Sequence, residues 1–453
     1  MKKNIYVGLL MVFILAAGFI ILKSLTDRTK KRTTTYTLLE RKGPLAQSND
    51  WSNTKKVAEK LLNSIKNDPG DTKAMIALAN LFLLEARVTA NYPYYDMAAL
   101  KYVNDVLAKD RNNFEALSLK SMVYLSQHHF AEGLTMAKTA SAINPYNAFI
   151  YGVLVDGYVE MGYYDSAVMA AEKMMSIRPD LRSYARAAYL REIHGDYPGA
   201  IEAMKLAIDA GMPGDESTEW SRVQLGHLYE NTGDLKDAEF QFAVSLGERP
   251  GYVHALAGMA RMALAAKNYD KAISYYQQAD SLVNDFSFKE EMIDVYQLAG
   301  QEEKAAAIAK IVIADMNKNA LAAATDESIG HYADMELAYA YIKMKDFDKA
   351  LEHALAEYNR RPGNIDVNET LAWVYYQKGD YPKALPFIKT ALKTNSKKPL
   401  LLSRAGLIFE KAGDRVKAIQ YLQEAIKSNA NIPGYLKENC VNALKALSGQ
   451  AKV

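Results

Sequence analysis

The residue types that could carry out chemistry are few in this chain. Seven histidines are scattered over 453 residues. His128 and His129 are adjacent in a turn between two predicted helices, so their side chains point in different directions and make a poor pair of metal ligands. The sequence contains no His-Glu-x-x-His segment, no phosphate-binding glycine loop and no Gly-x-Ser-x-Gly turn. We therefore expect no catalytic residue, no metal and no cofactor, and a protein that is not an enzyme.

Cysteine content and charge exclude further classes. Cys440 is the only cysteine, which rules out an intramolecular disulfide framework and a thiolate metal cluster. The 55 basic and 53 acidic residues give a net charge of +2. Because the basic residues form no stripe along the chain, nucleic acid is not an expected partner.

A third group of residues could recognise charge. Arg182, Arg186 and Tyr189 follow one another at intervals of four and three residues, so they share one face if the segment is helical. Guanidinium groups donate paired hydrogen bonds to carboxylates, and a tyrosine ring adds apolar contact area. This face is suited to an acidic or carboxylate-bearing segment of another protein.

The element that positions these residues is a motif that returns about every 34 residues. It is clearest in Leu225-Gly226-x-x-Tyr229, Gly233-Asp234-Leu235, Ala238, Phe242 and Pro250. The turn recurs in phase elsewhere, with alanine three residues after it, at Gly162-Tyr163-Tyr164, Gly195-Asp196-Tyr197, Lys267-Asn268-Tyr269, Lys345-Asp346-Phe347, Gly379-Asp380-Tyr381 and Gly413-Asp414-Arg415. Prolines that separate one unit from the next lie in phase at Pro145, Pro179, Pro250 and Pro362.

This pattern resembles the tetratricopeptide repeat (TPR), a helix-turn-helix unit. The resemblance implies an all-α fold, a right-handed superhelical solenoid in which each unit buries its apolar face against its neighbours. Small residues such as Gly226 and Ala238 let two helices approach closely, while Leu225, Tyr229 and Phe242 fill the space between them.

We predict a TPR array over residues 54–453 with about ten repeats. The repeats lie near residues 72–111, 114–145, 148–179, 181–212, 219–250, 253–284, 286–318, 331–362, 365–396 and 399–430. Capping helices are expected at 55–65 and 435–447, because a solenoid needs polar ends. Insertions interrupt the period at Arg87 to Tyr95 and at Asn319 to Gly330.

Residues 1–23 are predicted to form a membrane anchor or a signal segment. Ile5 to Leu22 is a run of 18 uncharged residues, just long enough to cross a bilayer as a helix. Ala16-Ala17-Gly18 also suits cleavage by signal peptidase, but the apolar run continues beyond that site, and we favour an uncleaved single-pass transmembrane helix. The polar residues 24–53 are predicted to be a tether between the bilayer and the array.

Two sequence patterns predict opposite membrane orientations. The positive-inside rule compares Lys2 and Lys3 with Lys23, Arg28 and the basic residues that follow, and it places the repeats in the cytoplasm. A short charged start followed at once by an apolar run is typical of an export signal. We favour the periplasmic or extracytoplasmic side.

The TPR resemblance implies which side chains line the concave groove. In this family the second, fifth, sixth, ninth and twelfth positions of a repeat commonly point inward, and the helical spacing agrees. The predicted partner-binding groove consists of Arg182, Arg186, Tyr189, Trp220, Gln224, His227, His254, Arg261, Trp373 and Tyr376. An acidic zone of Glu290, Glu291 and Asp294, and an aromatic zone that adds Tyr332 and Tyr339, are expected further along it.

The sequence favours a membrane-tethered scaffold that binds other proteins in this groove and supports assembly of an envelope complex. One alternative is a self-associating platform, a homo-oligomer whose groove stays unoccupied. Another is a carbohydrate or small-ligand binder in which Trp373 and Tyr376 stack on the ligand. The sequence names no particular partner.

Overall fold

The computed structural model describes residue 13 and residues 35–283, 285–325, 331–428, 432 and 434–449. These residues contain 22 α-helices and no strand. The helices are α1 (Asn49–Asn67), α2 (Thr72–Thr89), α3 (Tyr92–Lys109), α4 (Phe114–Ser126), α5 (Phe130–Ile143), α6 (Ala148–Glu160), α7 (Tyr164–Ile177), α8 (Leu181–Ile193), α9 (Tyr197–Asp209), α10 (Glu216–Thr232), α11 (Leu235–Glu248), α12 (Val253–Ala265), α13 (Tyr269–Leu282), α14 (Ser287–Leu298), α15 (Glu302–Thr325), α16 (Asp334–Lys343), α17 (Phe347–Arg360), α18 (Ile365–Gln377), α19 (Tyr381–Ala391), α20 (Pro399–Lys411), α21 (Arg415–Ser428) and α22 (Gly434–Gly449).

Each short turn between paired helices is built by two residues. Gly233 and Gly379 adopt the left-handed conformation, with φ of 87° and 75°, and end the first helix. The acidic residue that follows caps the second helix, because the Asp234 side chain accepts the backbone N–H of Asp237 at 3.3 Å. Where the Gly-Asp pair occurs, it therefore makes the chain reversal; in other units His128, Lys267 and Lys345 adopt the left-handed conformation in place of glycine.

Close packing of neighbouring units explains the small residues of the motif. The Phe242 ring is fully buried between α10 and α12. A Cβ atom added at Gly226 or Gly258 would overlap that ring. Glycine at these positions leaves room for the Phe242 ring to pack against one helix from each of two successive units.

The predicted insertions lengthen helices. Residues Arg87 to Tyr95 form the end of α2 and the start of α3, and Ala90 between them has a φ of 51°. Helix α15 continues into the second insertion as far as Thr325. Residues 326–330 lie outside the described part of the chain.

Residues 35–53 form an N-terminal strap that packs on the array. The backbone N–H of Leu39 donates to Tyr95 Oη at 3.0 Å. Arg41 is buried and pairs with Glu85 at 2.5 Å, and Trp51 is 1% exposed. The described residues 35–53 of the predicted tether (24–53) therefore pack on the array, because Arg41 is buried against α2 and Leu45 is buried in the core formed by α12 to α14.

The predicted anchor, Ile5 to Leu22, lies outside the described residues except for Phe13. Within the described ranges, no helix combines the length and the apolar character that crossing a bilayer requires.

Two windings of the solenoid meet directly at a contact that we call the seam. It is formed by Glu160, Gly162 and Tyr164 on one side and by Arg361, residues 363–365 and Lys393 on the other. The backbone N–H of Ile365 donates to Tyr164 Oη at 2.9 Å, across 201 residues of sequence. Asn364 Nδ2 donates to the Glu160 carbonyl oxygen at 3.0 Å, and Arg361 pairs with Glu160.

Other contacts between windings extend this closure. Arg87 on α2 pairs with Glu216 on α10 at 3.1 Å. Asp50 of the strap pairs with Arg249 at 3.1 Å. Residues far apart in the sequence are therefore in direct contact at these places and at the seam.

Candidate functional site

The inner surface carries two accessible aromatic rings at predicted groove positions. Tyr189 on α8 is 40% exposed and Trp220 on α10 is 36% exposed. The Trp220 ring meets the His254 ring edge to face, with the centroids 5.2 Å apart. Gln224, one turn along α10 from Trp220, is partly exposed. Solvent therefore reaches large apolar side chains on this wall.

Two of the three predicted arginines are already paired within the chain. Arg186 Nη2 lies 2.6 Å from Asp156 Oδ2, and its Nε donates to the Gly152 carbonyl oxygen at 3.0 Å. Arg261 Nε donates to both carboxylate oxygens of Glu230 at 3.1 Å. These two guanidinium groups hold neighbouring units together and are not available to a partner in the way the sequence suggests.

The ion pair between Arg261 and the buried Glu230 also involves His227. Arg261 Nη2 donates to His227 Nδ1 at 2.9 Å. Burial alone would raise the pKa of Glu230, but Arg261 and His227 hold it below its usual value. Burial, together with the nearby Arg261, lowers the pKa of His227. The cluster is a satisfied charge network that spans α10 and α12.

Arg182 differs from Arg186 and Arg261 in its surroundings. Among the described residues no carboxylate lies within ion-pair distance of it, and its guanidinium carbon lies 5.8 Å from the centre of the Phe149 ring. Burial and the positive charges of Arg186 and Arg87 lower the pKa of Arg182. This exposed guanidinium is the cation of the inner wall that a partner's carboxylate could meet.

Trp373 and Tyr376 do not form an open binding platform. Trp373 is 2% exposed, and the Tyr376 ring stacks on it with the centroids 4.7 Å apart. The prediction that Trp373 lines the groove is therefore wrong, because its ring fills the core between α18 and α20. Without an exposed indole face, a stacking site for a carbohydrate has no support here.

The predicted acidic zone is partly neutralised. Lys343 Nζ lies 3.0 Å from Asp294 Oδ2 and donates to the Glu290 carbonyl oxygen at 2.9 Å. Burial raises the pKa of Glu290 to about 7, against the opposing effect of Lys343. The Glu291 carboxylate accepts a hydrogen bond from Tyr276 Oη at 3.3 Å.

A cavity of about 160 Å³ lies between the two windings, next to Tyr189. It is lined by Tyr189, Glu192, Ile193, Ile365, Asp366, Glu369, Ser396, Lys398 and Leu401. Glu369 pairs with Arg404 at 3.0 Å. The nearby carboxylates of Asp366 and Glu369 raise the pKa of Lys398 above its usual value, although burial acts in the opposite direction. The cavity is thus polar and large enough for a few water molecules or one polar side chain.

A second polar cluster joins the α4–α5 turn to α16. The ring centroids of His128 and His331 are 4.0 Å apart, and both rings approach the Glu336 carboxylate. Burial and the nearby His331 lower the pKa of His128 to about 4. His128, His331 and Glu336 each offer one ligand-type atom, and these atoms all lie within 4.8 Å of one another. This cluster could hold a metal ion.

Sequence reasoning missed the cavity and the histidine cluster for one reason. His128 and Tyr332, whose atoms touch, are 204 residues apart in sequence. Lys398 and Glu192 belong to different windings in the same way. A repeat motif predicts contacts between neighbouring units, so nothing in the local pattern signals these pairs.

Asp96 makes the stability of the array depend on pH. Its side chain is 1% exposed, and Oδ2 accepts a hydrogen bond from Ser126 Oγ at 2.9 Å. Burial raises the pKa of Asp96 from 3.8 to about 7, against the effects of Ser126 and His331. Because the folded state holds the proton more tightly, the stability linked to this group is complete below about pH 4 and is lost as the pH rises through about 7.

We expect Asp96→Asn to change the pH dependence of unfolding. Relative to wild type, the variant should gain about 2 kcal/mol of unfolding free energy between pH 5 and pH 8, because the amide has no proton to lose. Urea denaturation at several pH values, with a chelator present, measures this difference. Asp209→Asn, at an exposed carboxyl, is the control. A difference that stays constant with pH for Asp96→Asn would contradict the assignment.

The comparisons with known proteins agree with the repeat pattern. Residues 223–284 and 369–434 match the tetratricopeptide repeat family model. Similar solved structures include a thermophilic TPR protein of Thermus thermophilus, at 21% identity and a TM-score of 0.38 over 43% of this chain and 99% of that one. The human IFIT1 dimer with PPP-AAAA has 16% identity and a TM-score of 0.47 over 76% and 79%. PilW, a type IV pilus biogenesis factor, has 16% and 0.38 over 45% and 94%.

No curated protein sequence matches the chain. The chain carries TPR repeats in an all-helical solenoid, a type of scaffold that suggests protein–protein interaction.

Proposed function

We propose that this chain is a non-catalytic scaffold that binds an extended, carboxylate-bearing segment of another protein on its inner surface. The observation that supports it most is the inner wall formed by Arg182, Tyr189 and Trp220. This wall combines two accessible aromatic rings with an exposed guanidinium that lacks a carboxylate partner among the described residues. Aromatic residues and arginine are the side chains that most often contribute binding energy at protein interfaces.

The charge on this wall favours an acidic partner. Arg186 and Arg87 act electrostatically on Arg182, and after burial their repulsion contributes to the lowered pKa of Arg182. A carboxylate placed against Arg182 would relieve that repulsion and form a charge-assisted hydrogen bond in a partly desolvated interior. A cationic partner would increase the repulsion.

The closed winding favours a thin ligand. The seam brings α6 and α7 against α18, and the cavity beside it has a volume of about 160 Å³. Solvent still reaches Tyr189 and Trp220. An extended chain could lie along the wall beside Tyr189 and Trp220 and place one side chain in that cavity, whereas a folded domain would need more room.

We also propose that the scaffold is tethered to a membrane on its extracytoplasmic side, where it supports assembly of an envelope complex. The support is the apolar run Ile5 to Leu22. Only residues 23–34 separate that run from the packed strap, and fully extended they would reach about 40 Å. The array would therefore work close to the bilayer.

Crosslinking in intact cells followed by affinity capture tests this proposal. We expect a partner captured by the wild-type chain to be lost, by at least about tenfold, in the double variant Arg182→Ala/Trp220→Ala, because each side chain is a candidate interface anchor. Arg186 is left unchanged because it holds α6 and α8 together through Asp156.

The matched control is Lys236→Ala/Phe240→Ala on α11, where both side chains are exposed and again one cation and one aromatic ring are lost. The proposal predicts that this variant captures the partner at the wild-type level. Equal capture by all three proteins would contradict an inner-surface binding site. A captured partner located in the cytoplasm would contradict the proposed orientation alone.

A further inference from the structure

His128, His331 and Glu336 come together where the α4–α5 turn meets the start of α16. His128 Nδ1 lies 3.6 Å from Glu336 Oε1. His331 Nε2 lies 3.4 Å from the same oxygen. The two rings are offset, with 4.0 Å between their centroids and 48° between their planes. Three ligand-type atoms therefore surround one point without any rearrangement of the backbone.

These separations match the edges of a tetrahedral zinc site. With metal–nitrogen and metal–oxygen bonds of about 2.0–2.1 Å, two ligand atoms at a tetrahedral angle lie about 3.3 Å apart. The two nitrogen–oxygen separations are within a few tenths of an ångström of that value, and all three atoms lie within 4.8 Å of one another. We propose that His128, His331 and Glu336 bind one divalent transition-metal ion of the Zn²⁺ class, and that this ion joins two windings of the solenoid.

The donor set selects this class of ion. Two imidazole nitrogens and one carboxylate suit Zn²⁺, Cu²⁺ or Ni²⁺, whereas Mg²⁺ and Ca²⁺ favour oxygen ligands. In the described part of the chain, Glu336 Oε2 is a buried atom without a hydrogen-bond partner, and Glu336 Oε1 has His331 Nε2 at 3.4 Å. A buried carboxylate oxygen without a partner is costly, and a metal ion bound at this carboxylate would offset that cost.

The charge around the cluster also favours a cation. The carboxyl groups of Asp96 and Glu290 act electrostatically on His331 and Glu336 respectively. The positive charge of Arg361 disfavours a cation near His128, but Arg361 is paired with both Glu160 and Glu357. Lys343 offsets part of the charge of Glu290, so Glu336 is the carboxylate that acts most directly on the two imidazoles.

Metal binding would replace one hydrogen bond. His128 Nδ1 lies 3.0 Å from the Tyr332 carbonyl oxygen, which can only accept, so in the metal-free protein Nδ1 carries the proton. Coordination through Nδ1 requires that this proton leave to solvent, and binding is therefore coupled to proton release. The gain is a direct bond between units that are otherwise far apart in the chain.

The test uses the full chain without a histidine tag, stripped with a chelator and dialysed. Titration with ZnCl₂ in competition with a chromophoric chelator is expected to show one ion per chain. His128→Gly, His331→Gln and Glu336→Gln should each weaken binding by at least about 100-fold, because loss of a ligand exceeds the 10–100-fold effect of losing an outer-shell partner. Glycine is chosen at His128 because that residue has a φ of 61° and most equivalent turns have glycine.

His194→Asn is the matched control, since His194 is an exposed histidine in the corresponding turn after α8. It should bind Zn²⁺ as the wild type does, and far-UV circular dichroism should show the same helix content in all variants. With Co²⁺ as the probe, wild type should give the intense visible absorption of tetrahedral coordination. Absence of stoichiometric Zn²⁺ binding, or binding that survives both His128→Gly and His331→Gln, would overturn the site. The outcome does not depend on the proposed partner.

Discussion

Gly162→Ala is expected to destabilise the protein by about 3 kcal/mol, because the added methyl group falls on the seam. Gly162 has a φ of 77°, a conformation that costs an alanine about 1–2 kcal/mol. Its Cβ atom would also lie well inside contact distance of the Gly363 carbonyl group on the other winding. Backbone atoms cannot rotate away as a side chain can, so this overlap adds about 1–3 kcal/mol.

Gly379→Ala separates the two contributions. Gly379 has a φ of 75° and the same place in its turn, but no atom lies within 4 Å of an added Cβ. We expect it to lose only the conformational part, about 1–2 kcal/mol. Urea denaturation measures both variants, and small-angle X-ray scattering should show a larger radius of gyration for Gly162→Ala alone. Equal losses and equal radii would mean that the windings do not touch in solution.

The sequence predicts the local fold well because the residues that determine each helix-turn-helix unit lie within that unit. Gly233 and Asp234 build the turn, and Gly226 and Phe242 pack as the motif requires. These contacts join residues less than one repeat apart, where helical periodicity and turn chemistry act directly.

The strap was beyond such reasoning for a physical reason. Residues 35–53 are mostly polar and lack a period, which are the features of a linker. Their burial depends on a few side chains, chiefly Leu45, Trp51 and Arg41, whose partners lie on α2 and in the middle of the array. The average composition of a segment therefore does not predict that a few of its residues will hold it against the rest of the protein.

The inner wall shows the limit most clearly. Periodicity places Arg182, Arg186 and Arg261 on inward faces, but it says nothing about which carboxylates meet them. Asp156 and Glu230 each lie one unit away and neutralise two of the three arginines. Trp373 occupies an inward position by count and is nevertheless covered by α20 and by the Tyr376 ring. Position in a repeat predicts direction, whereas accessibility depends on the neighbouring unit and on the next winding.

Arg361→Met is expected to cost about 3 kcal/mol at pH 9, where the Glu160 carboxyl group is ionised. Arg361 is 5% exposed and pairs with Glu160 across the seam and with Glu357 on α17. Methionine keeps apolar contact with Phe130, whose ring centre lies 4.4 Å from the guanidinium carbon. The substitution leaves the Glu160 carboxylate partly buried without its cation, and removal of one partner from a buried pair typically costs about 3–5 kcal/mol.

The size of this loss should depend on pH in one direction. Burial raises the pKa of Glu160 to about 7 even with Arg361 beside it, so removal of Arg361 should raise it further. A protonated Glu160 needs no cation, and the destabilisation is therefore expected to be smaller at pH 6 than at pH 9. Urea denaturation of Arg361→Met/Glu160→Gln should show no such dependence and should recover part of the stability.

The comparison that decides this is Lys378→Met, which breaks an ion pair with the exposed Asp348. An exposed pair contributes about 0–1 kcal/mol, so this variant should remain close to wild type at both pH values. If Arg361→Met behaved like Lys378→Met, the seam pair would have to be solvated in solution. The two windings would then be held by the Tyr164 and Asn364 hydrogen bonds without help from the buried charge.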